Sequence, residues 1–263
     1  MSVTMHLHDS LQSYFSSEQP LFNQLMALSG ECFRHQKGRF TQRIILGTKT
    51  YFIKKHTGVG WREIFKNLLQ GRWPVLSAKN EWQALQCLKA QGLAVPEVMG
   101  YGLQGNNPAH LQSFVLLEDV TPTLSLEELS VEAPHVPLIL KRQLINVVAT
   151  ITRTMHAAGI NHRDLYICHF LLDKRSIGTE KLKLYLIDLH RAQMRQTVPL
   201  RWRVKDLAGL YFSSKESGLT SRDYLRFIRA YTGKSLQSIF NEKNHYWKKV
   251  KIRGEQLYRD HCK

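Results

Sequence analysis

The spacing of apolar residues changes period several times along the chain, and each change marks an element. Leu21, Phe22, Leu25 and Leu28 recur at helical spacing, which predicts that residues 1–30 form a peripheral helix. Thr41–Leu46 and Thr50–Lys54 are rich in β-branched and aromatic residues around Gly47-Thr48-Lys49, a hairpin signal. Trp61, Ile64, Phe65, Leu68 and Leu69 fall at i, i+3, i+4, i+7 and i+8, a strongly amphipathic helix closed by Gly71 and Pro74. A second helix is expected over 77–90, stopped at Gln91-Gly92, and Phe114–Leu117 reads as a short buried strand. The stretch 121–137 carries three prolines and several acids and reads as a connector. Leu138–Ala158 predicts the longest helix, ending at Gly159. Leu182, Leu184 and Leu186 alternate onto one face of a strand over 181–187, and from Pro199 onward the pattern is helical.

This order of elements predicts a two-lobed α+β fold. A peripheral helix over 1–30 precedes a small β-rich N-lobe over 31–120. A larger, mostly helical C-lobe follows over 121–263 and ends in a basic helix.

Composition narrows the class. The 263 residues are 43% hydrophobic and 10% aromatic, enough to bury a sizeable core. Cys32, Cys87, Cys168 and Cys262 are scattered with no CxxC pair, and no secretory signal precedes the first polar run, so the thiols are expected to be reduced and cytosolic. The longest apolar stretch, Leu138–Thr154, is broken by Lys141, Arg142 and Arg153 and falls short of the roughly 20 residues a spanning helix needs. The formal net charge of +16 attracts anions: nucleic acid, an anionic membrane, an acidic protein or a phosphorylated substrate. Charge alone does not choose among them.

Candidate chemistry does. Phosphoryl transfer needs a lysine on the nucleotide phosphates, a helix glutamate to hold it, an aspartate to take the acceptor's proton and a carboxylate for Mg²⁺. Lys54 ends the strand Tyr51-Phe52-Ile53-Lys54, where alternation puts Phe52 and Lys54 on one face and leaves Lys55 on the other, solvated. Glu81 lies in the second predicted helix and is preferred over Glu63 as partner of Lys54. His162-Arg163-Asp164 follows the long helix and precedes Phe170-Leu171-Leu172, the context an H-R-D catalytic loop requires, with Asp164 as base. Asp188 ends the 181–187 strand, 24 residues after Asp164 and beyond a hairpin around Ser176-Ile177-Gly178, a position suited to Mg²⁺. Glu118-Asp119-Val120 follows a buried strand and corresponds to a hinge where backbone groups of Glu118 and Val120 would hold adenine. Asp206 is placed to brace the catalytic loop from a helix below it.

The set departs from protein kinases in three places. His169 occupies the position of the second metal ligand, and imidazole is a poor ligand for a hard cation. His169 is therefore expected on a phosphate or on the catalytic loop, unless the second metal is held differently. No G-x-G-x-x-G loop is present, which leaves Arg39 or Lys37 as candidates for the phosphates. No A-P-E segment follows Asp188, against a regulated protein kinase with an activation loop.

The runs Met155–Leu172, Ile187–Ala192, Leu210–Ser214 and Phe65–Leu69 closely resemble the lipopolysaccharide core heptose(I) kinases, the WaaP (RfaP) family, over about residues 30 to 240. His169 fits that family's pattern. The resemblance implies a protein-kinase-like fold and an ATP- and Mg²⁺-dependent enzyme that phosphorylates the first heptose of the lipopolysaccharide core. It implies action on the cytoplasmic face of the inner membrane of Gram-negative bacteria. It matches Asp164 to the family's catalytic aspartate, and Lys54 and Asp188 to its nucleotide and metal positions.

Under that reading the charge suits an anionic glycolipid in an anionic membrane. The helix over 61–70, with Arg62, Lys66 and the following Arg72-Trp73, is expected either to lie in the membrane interface or to pack on the small lobe. The basic, aromatic stretch His245–Arg253 carries the same two alternatives. Competing functions are a kinase for Kdo, another core sugar or a protein hydroxyl, and a pseudokinase-like protein whose basic face holds an acidic carrier protein. No nucleic-acid motif appears, so none is expected as partner.

Overall fold

The computed structural model describes residues 3–36, 38–71, 74–132, 136–241 and 245–262, without the side chains of Gln36 and Phe240. Lys37 and the pair Arg72-Trp73 therefore lie outside the described residues. The chain divides into two compact units, Met1–Gln86 with Pro96–Asp119, and Cys87–Val95 with Val120–Lys263.

The first unit is built on a six-stranded antiparallel sheet ordered β1-β5-β6-β4-β3-β2. Its strands are β1 (Val3–Leu7), β2 (Glu31–Gln36), β3 (Arg39–Leu46), β4 (Lys49–Thr57), β5 (Val98–Gln104) and β6 (Gln112–Glu118). The expected hairpin is β3–β4. Its register pairs Leu46 with Lys49, leaving Gly47-Thr48 as a two-residue loop with Gly47 at φ +63°. Two short helices, α1 (Asp9–Gln12) and α2 (Leu21–Ala27), the longer α3 (Gly60–Leu69), and α4 (Lys79–Ala90) as far as Gln86 complete it.

Residues 1–30 are thus more than a peripheral helix. Leu7, Leu11, Phe22 and Leu25 share a core with Ile44, Tyr51, Ile53, Phe114 and Leu116. Strand β1 pairs with β5 from Val3↔Gln104 to Leu7↔Gly100 at the sheet edge. Only its last residue, Leu7, is buried, so no alternation betrays it in the sequence. Lys55 likewise is buried and not solvated. Its Nζ donates to the carbonyls of Met26 and Leu28, where a cation meets the unpaired C-terminal carbonyls of α2.

The second unit contains α5 (Leu126–Glu132), α6 (Leu138–Ala157), α7 (Leu200–Ser213), α8 (Ser221–Thr232), α9 (Leu236–Asn241) and α10 (Tyr246–His261). A three-stranded sheet joins β7 (Thr123–Ser125), β9 (Phe170–Asp173) and β10 (Leu184–Leu186), and a two-stranded one joins β8 (Ile160–Asn161) and β11 (Gln193–Met194). The stretch read as a connector holds β7 and α5. Ser125 and Glu128 exchange side-chain-to-backbone hydrogen bonds in a capping box that starts α5. The strand expected over 181–187 shortens to Leu184–Leu186, the residues that pair with Leu172, Leu171 and Phe170 of β9, and all three are buried. On α10, Tyr246, Trp247 and Val250 pack with Ala149, Leu207 and Tyr231, while Lys248, Lys249, Lys251 and Arg253 stay exposed.

Candidate active site

In the first unit, Lys54 on β4 reaches Glu81 on α4, with Nζ 2.6 Å from Oε1. The Glu81 side chain is fully buried, and its second oxygen, Oε2, has no hydrogen-bond partner. Glu63, the competing candidate, instead accepts from Asn67 one turn along α3. The guanidinium of Arg39 donates to the carbonyl of Val75, 2.7 Å away. At the end of β6, the N–H groups of Glu118 and Asp119 donate to the carbonyls of Glu97 and Thr50. The Asp119 carboxylate takes a bond from Arg43. Those two hinge N–H groups are therefore committed to neighbouring backbone carbonyls.

In the second unit the catalytic loop begins where α6 stops. Gly159 adopts φ +76°, and a Cβ there would stand 1.8 Å from the Arg195 carbonyl oxygen, so only glycine lets the chain turn into β8. The next residues are over-determined from below. Asp206, fully buried on α7, accepts the His162 N–H through Oδ2 at 2.7 Å and the Arg163 N–H through Oδ1 at 2.8 Å. Its Oδ2 also lies 3.2 Å from His156 Nε2, and His156 Nδ1 bonds the Tyr231 hydroxyl. These bonds hold Arg163 at φ +75°, a region uncommon for a side chain of this size.

The same loop is tied to the Asp188 segment. His162 Nε2 donates to the Ile187 carbonyl at 3.0 Å, and burial, then the neighbouring His169, push the His162 pKa below the ordinary histidine value. His162 therefore stays neutral, with its proton on Nε2. His169 stacks on it at 5.4 Å and gives its Nδ1 proton to the Asp164 carbonyl at 2.8 Å. Its Nε2 faces Asp188 Oδ2 at 3.6 Å. Of the roles open to His169, this one is a bond to the catalytic loop. Asp188 sits in the left-handed region at φ 61°, and His190 Nδ1 approaches its Oδ1 at 2.9 Å. Burial pushes the adjacent Cys168 thiol up to about 11, which removes it as a nucleophile at neutral pH.

The contact that motif reading missed is Arg191. One of its nitrogens, Nη1, donates to both Asp164 oxygens, at 2.9 and 3.0 Å. Arg191 stands three residues after Asp188, so the local signal was present without the fold to interpret it. Each carboxylate oxygen keeps a further lone pair, so Asp164 can still accept a proton from a hydroxyl. Among the described residues no group of three His, Cys, Asp or Glu side chains could hold a metal. A single carboxylate such as Asp188 could still hold Mg²⁺, which takes one or two carboxylates and completes its shell with water and substrate phosphates.

The profile of the lipopolysaccharide kinase (Kdo/WaaP) family matches residues 23–231. The lipopolysaccharide core heptose(I) kinase WaaP of Pseudomonas aeruginosa is 42% identical over 256 residues, 96% of this chain and 95% of that protein. Its namesake from Escherichia coli K12 is 47% identical over 239 residues, 90% of each chain. The solved structure of WaaP in complex with acyl carrier protein superposes with a TM-score of 0.83 at 36% identity, covering 97% of this chain and 99% of that one. Sequence and α+β fold match over nearly the whole length, and the chain belongs to the lipopolysaccharide kinase (Kdo/WaaP) family.

Proposed function

We propose that this protein is an ATP-dependent kinase that phosphorylates heptose I of the lipopolysaccharide inner core. The observation that carries the chemistry is the presentation of Asp164: a carboxylate held by Arg191 on a loop fixed by Asp206 and tied through His162 and His169 to the Asp188 segment. The names and coverage of the relatives support the acceptor.

ATP supplies the phosphoryl group. Lys54, oriented by Glu81, would hold nucleotide phosphates, and Asp188, with one carboxylate oxygen fixed by His190, would hold Mg²⁺ to neutralise their charge. Asp164 accepts the proton of the heptose hydroxyl as its oxygen attacks. Catalysis in this class is mostly positioning and charge stabilisation, consistent with a loop held by so many bonds.

Two partners follow. The charge of +16 suits an acidic protein, and the structural relative was solved with acyl carrier protein. It also suits an anionic membrane surface, with the protein peripheral on the cytoplasmic face of the inner membrane. Helix α3 packs through Ile64 against Val59 and Ala109, while Trp61, Phe65, Leu68 and Leu69 are exposed beside Arg62 and Lys66. No helix among the described residues is long and apolar enough to cross a membrane.

The test is phosphate transfer from ATP and Mg²⁺ to purified core oligosaccharide, located by mass spectrometry, with Asp164→Asn as control. Phosphate on heptose I in the wild type and at least a hundredfold less with Asp164→Asn is the expected result. Transfer to Kdo or another sugar instead, or full activity of the variant, would overturn the reading.

A further inference from the structure

Within the second unit, Arg163 is a largely buried cation whose Nε lacks an acceptor. The residue is 7% exposed, its Nε has no hydrogen-bond partner, and no carboxylate or carbonyl among the described residues takes a bond from its guanidinium. Its neighbour is the Trp202 ring on α7, 5.6 Å from the guanidinium carbon. Arg195, Arg201 and Lys205 crowd the same ring at 5.9, 5.3 and 5.4 Å. Arg191 adds a fifth cation. Burial first, then Arg163 and Arg191, push the Lys205 ammonium below its ordinary value. Against these five stand two carboxylates, Asp164 and Asp206, and both are already engaged, by Arg191 and by the loop N–H groups.

A guanidinium with a buried, unsatisfied N–H is costly, and like charges gathered around one ring raise the cost further. Cation–π contact with Trp202 offsets only part of it. Such a cluster is completed by an oxyanion. Its place identifies which one. Arg163 precedes Asp164 in the chain and Arg191 donates to its carboxylate, so an anion held there would lie close to the base.

We propose that Arg163, Arg201 and Lys205, gathered around Trp202, form a binding site for an anionic group, carboxylate or phosphate, carried by the acceptor close to the hydroxyl it presents. The proposal rests on the kinase reading above and adds a specificity determinant to it. The enzyme would select an acidic sugar chain over a neutral one through a charge-assisted contact that tolerates no neutral substitute.

The test compares three acceptors: native core oligosaccharide, the same after reduction of its sugar carboxyls to alcohols, and the same after removal of phosphate. With wild-type protein, one of the two neutralised acceptors is expected to show an acceptor KM raised about tenfold, the loss of a single charged hydrogen-bonded contact, with the ATP KM unchanged. Which of the two does so identifies the anion. Lys205→Met, a half-buried position whose side chain makes no hydrogen bond among the described residues, should raise the KM for native acceptor by a similar factor and respond little to neutralisation. Arg201→Met, at an exposed position, provides a second variant whose folding is not in question. Thermal midpoints within about 2 °C of wild type exclude a structural loss. Equal KM values for all three acceptors would overturn the proposal and leave the kinase reading standing. No transfer to any of them would refute that reading and the acceptor site with it.

Discussion

Replacing Asp206 by asparagine isolates the role of one buried carboxylate. The two side chains have the same shape, so the change creates no cavity. Asp206 accepts from the His162 N–H, the Arg163 N–H and, at a longer 3.2 Å, His156. Asparagine keeps one acceptor oxygen and turns an NH₂ group toward the other loop N–H. One buried backbone donor is then left unsatisfied opposite another donor, and the remaining bond loses its charge. An orphaned buried donor costs about 1–3 kcal/mol, so a total near 2–3 kcal/mol is expected. For a unit of this size each kcal/mol lowers the midpoint by about 2–4 °C, which gives a drop of about 5–10 °C by calorimetry. The same bonds set the direction of Asp164. A misplacement of the base approaching 1 Å costs up to about a hundredfold in rate, so kcat should fall by one to two orders of magnitude. The ATP KM should change less than kcat, because Lys54 and Glu81, the residues read as holding nucleotide phosphates, belong to the other unit. A variant with an unchanged midpoint and wild-type kcat would refute the claim that Asp206 fixes the loop.

Lys54→Met should abolish measurable transfer. It should also destabilise the first unit by about 3–5 kcal/mol, because Glu81 is left charged and buried; Lys54→Met/Glu81→Leu should recover much of that stability without activity, as paired denaturation curves would register. The Glu255 carboxyl is held below the ordinary glutamate value of 4.5 by its bonds from Lys215 and then Tyr211. A depressed folded pKa contributes stability that is complete above 4.5 and lost as the pH falls through the folded value, so Glu255→Gln should flatten the acid side of the midpoint-versus-pH curve. Identical slopes in the two proteins would contradict this. Phe65→Asp with Leu69→Asp, both at exposed positions of α3, should leave the thermal midpoint unchanged and abolish salt-sensitive flotation with vesicles containing anionic lipid. Undiminished flotation of that double variant would rule α3 out as the contact.

What the sequence determined by itself were the features whose signal is local. Period and turn chemistry located β3–β4, α3, α4 and α6, and short motifs singled out Lys54, His162-Arg163-Asp164 and Asp188. Other local signals were present and passed over: the Ser125–Glu128 capping box inside a stretch read as a connector, and Arg191 three residues beyond Asp188. Strand β1 left no signal, because an edge strand with one buried residue shows no alternation. Tertiary structure alone decided how the pieces meet. It brought the favoured Glu81 to within 2.6 Å of Lys54, gave Asp206 the two loop N–H groups that make it the expected brace, buried Lys55 against the end of α2, and gathered Arg163, Arg201 and Lys205 around Trp202. Periodicity reports which face of an element is apolar, but the partner of a buried charge is fixed by distances in space, which no spacing along the chain encodes.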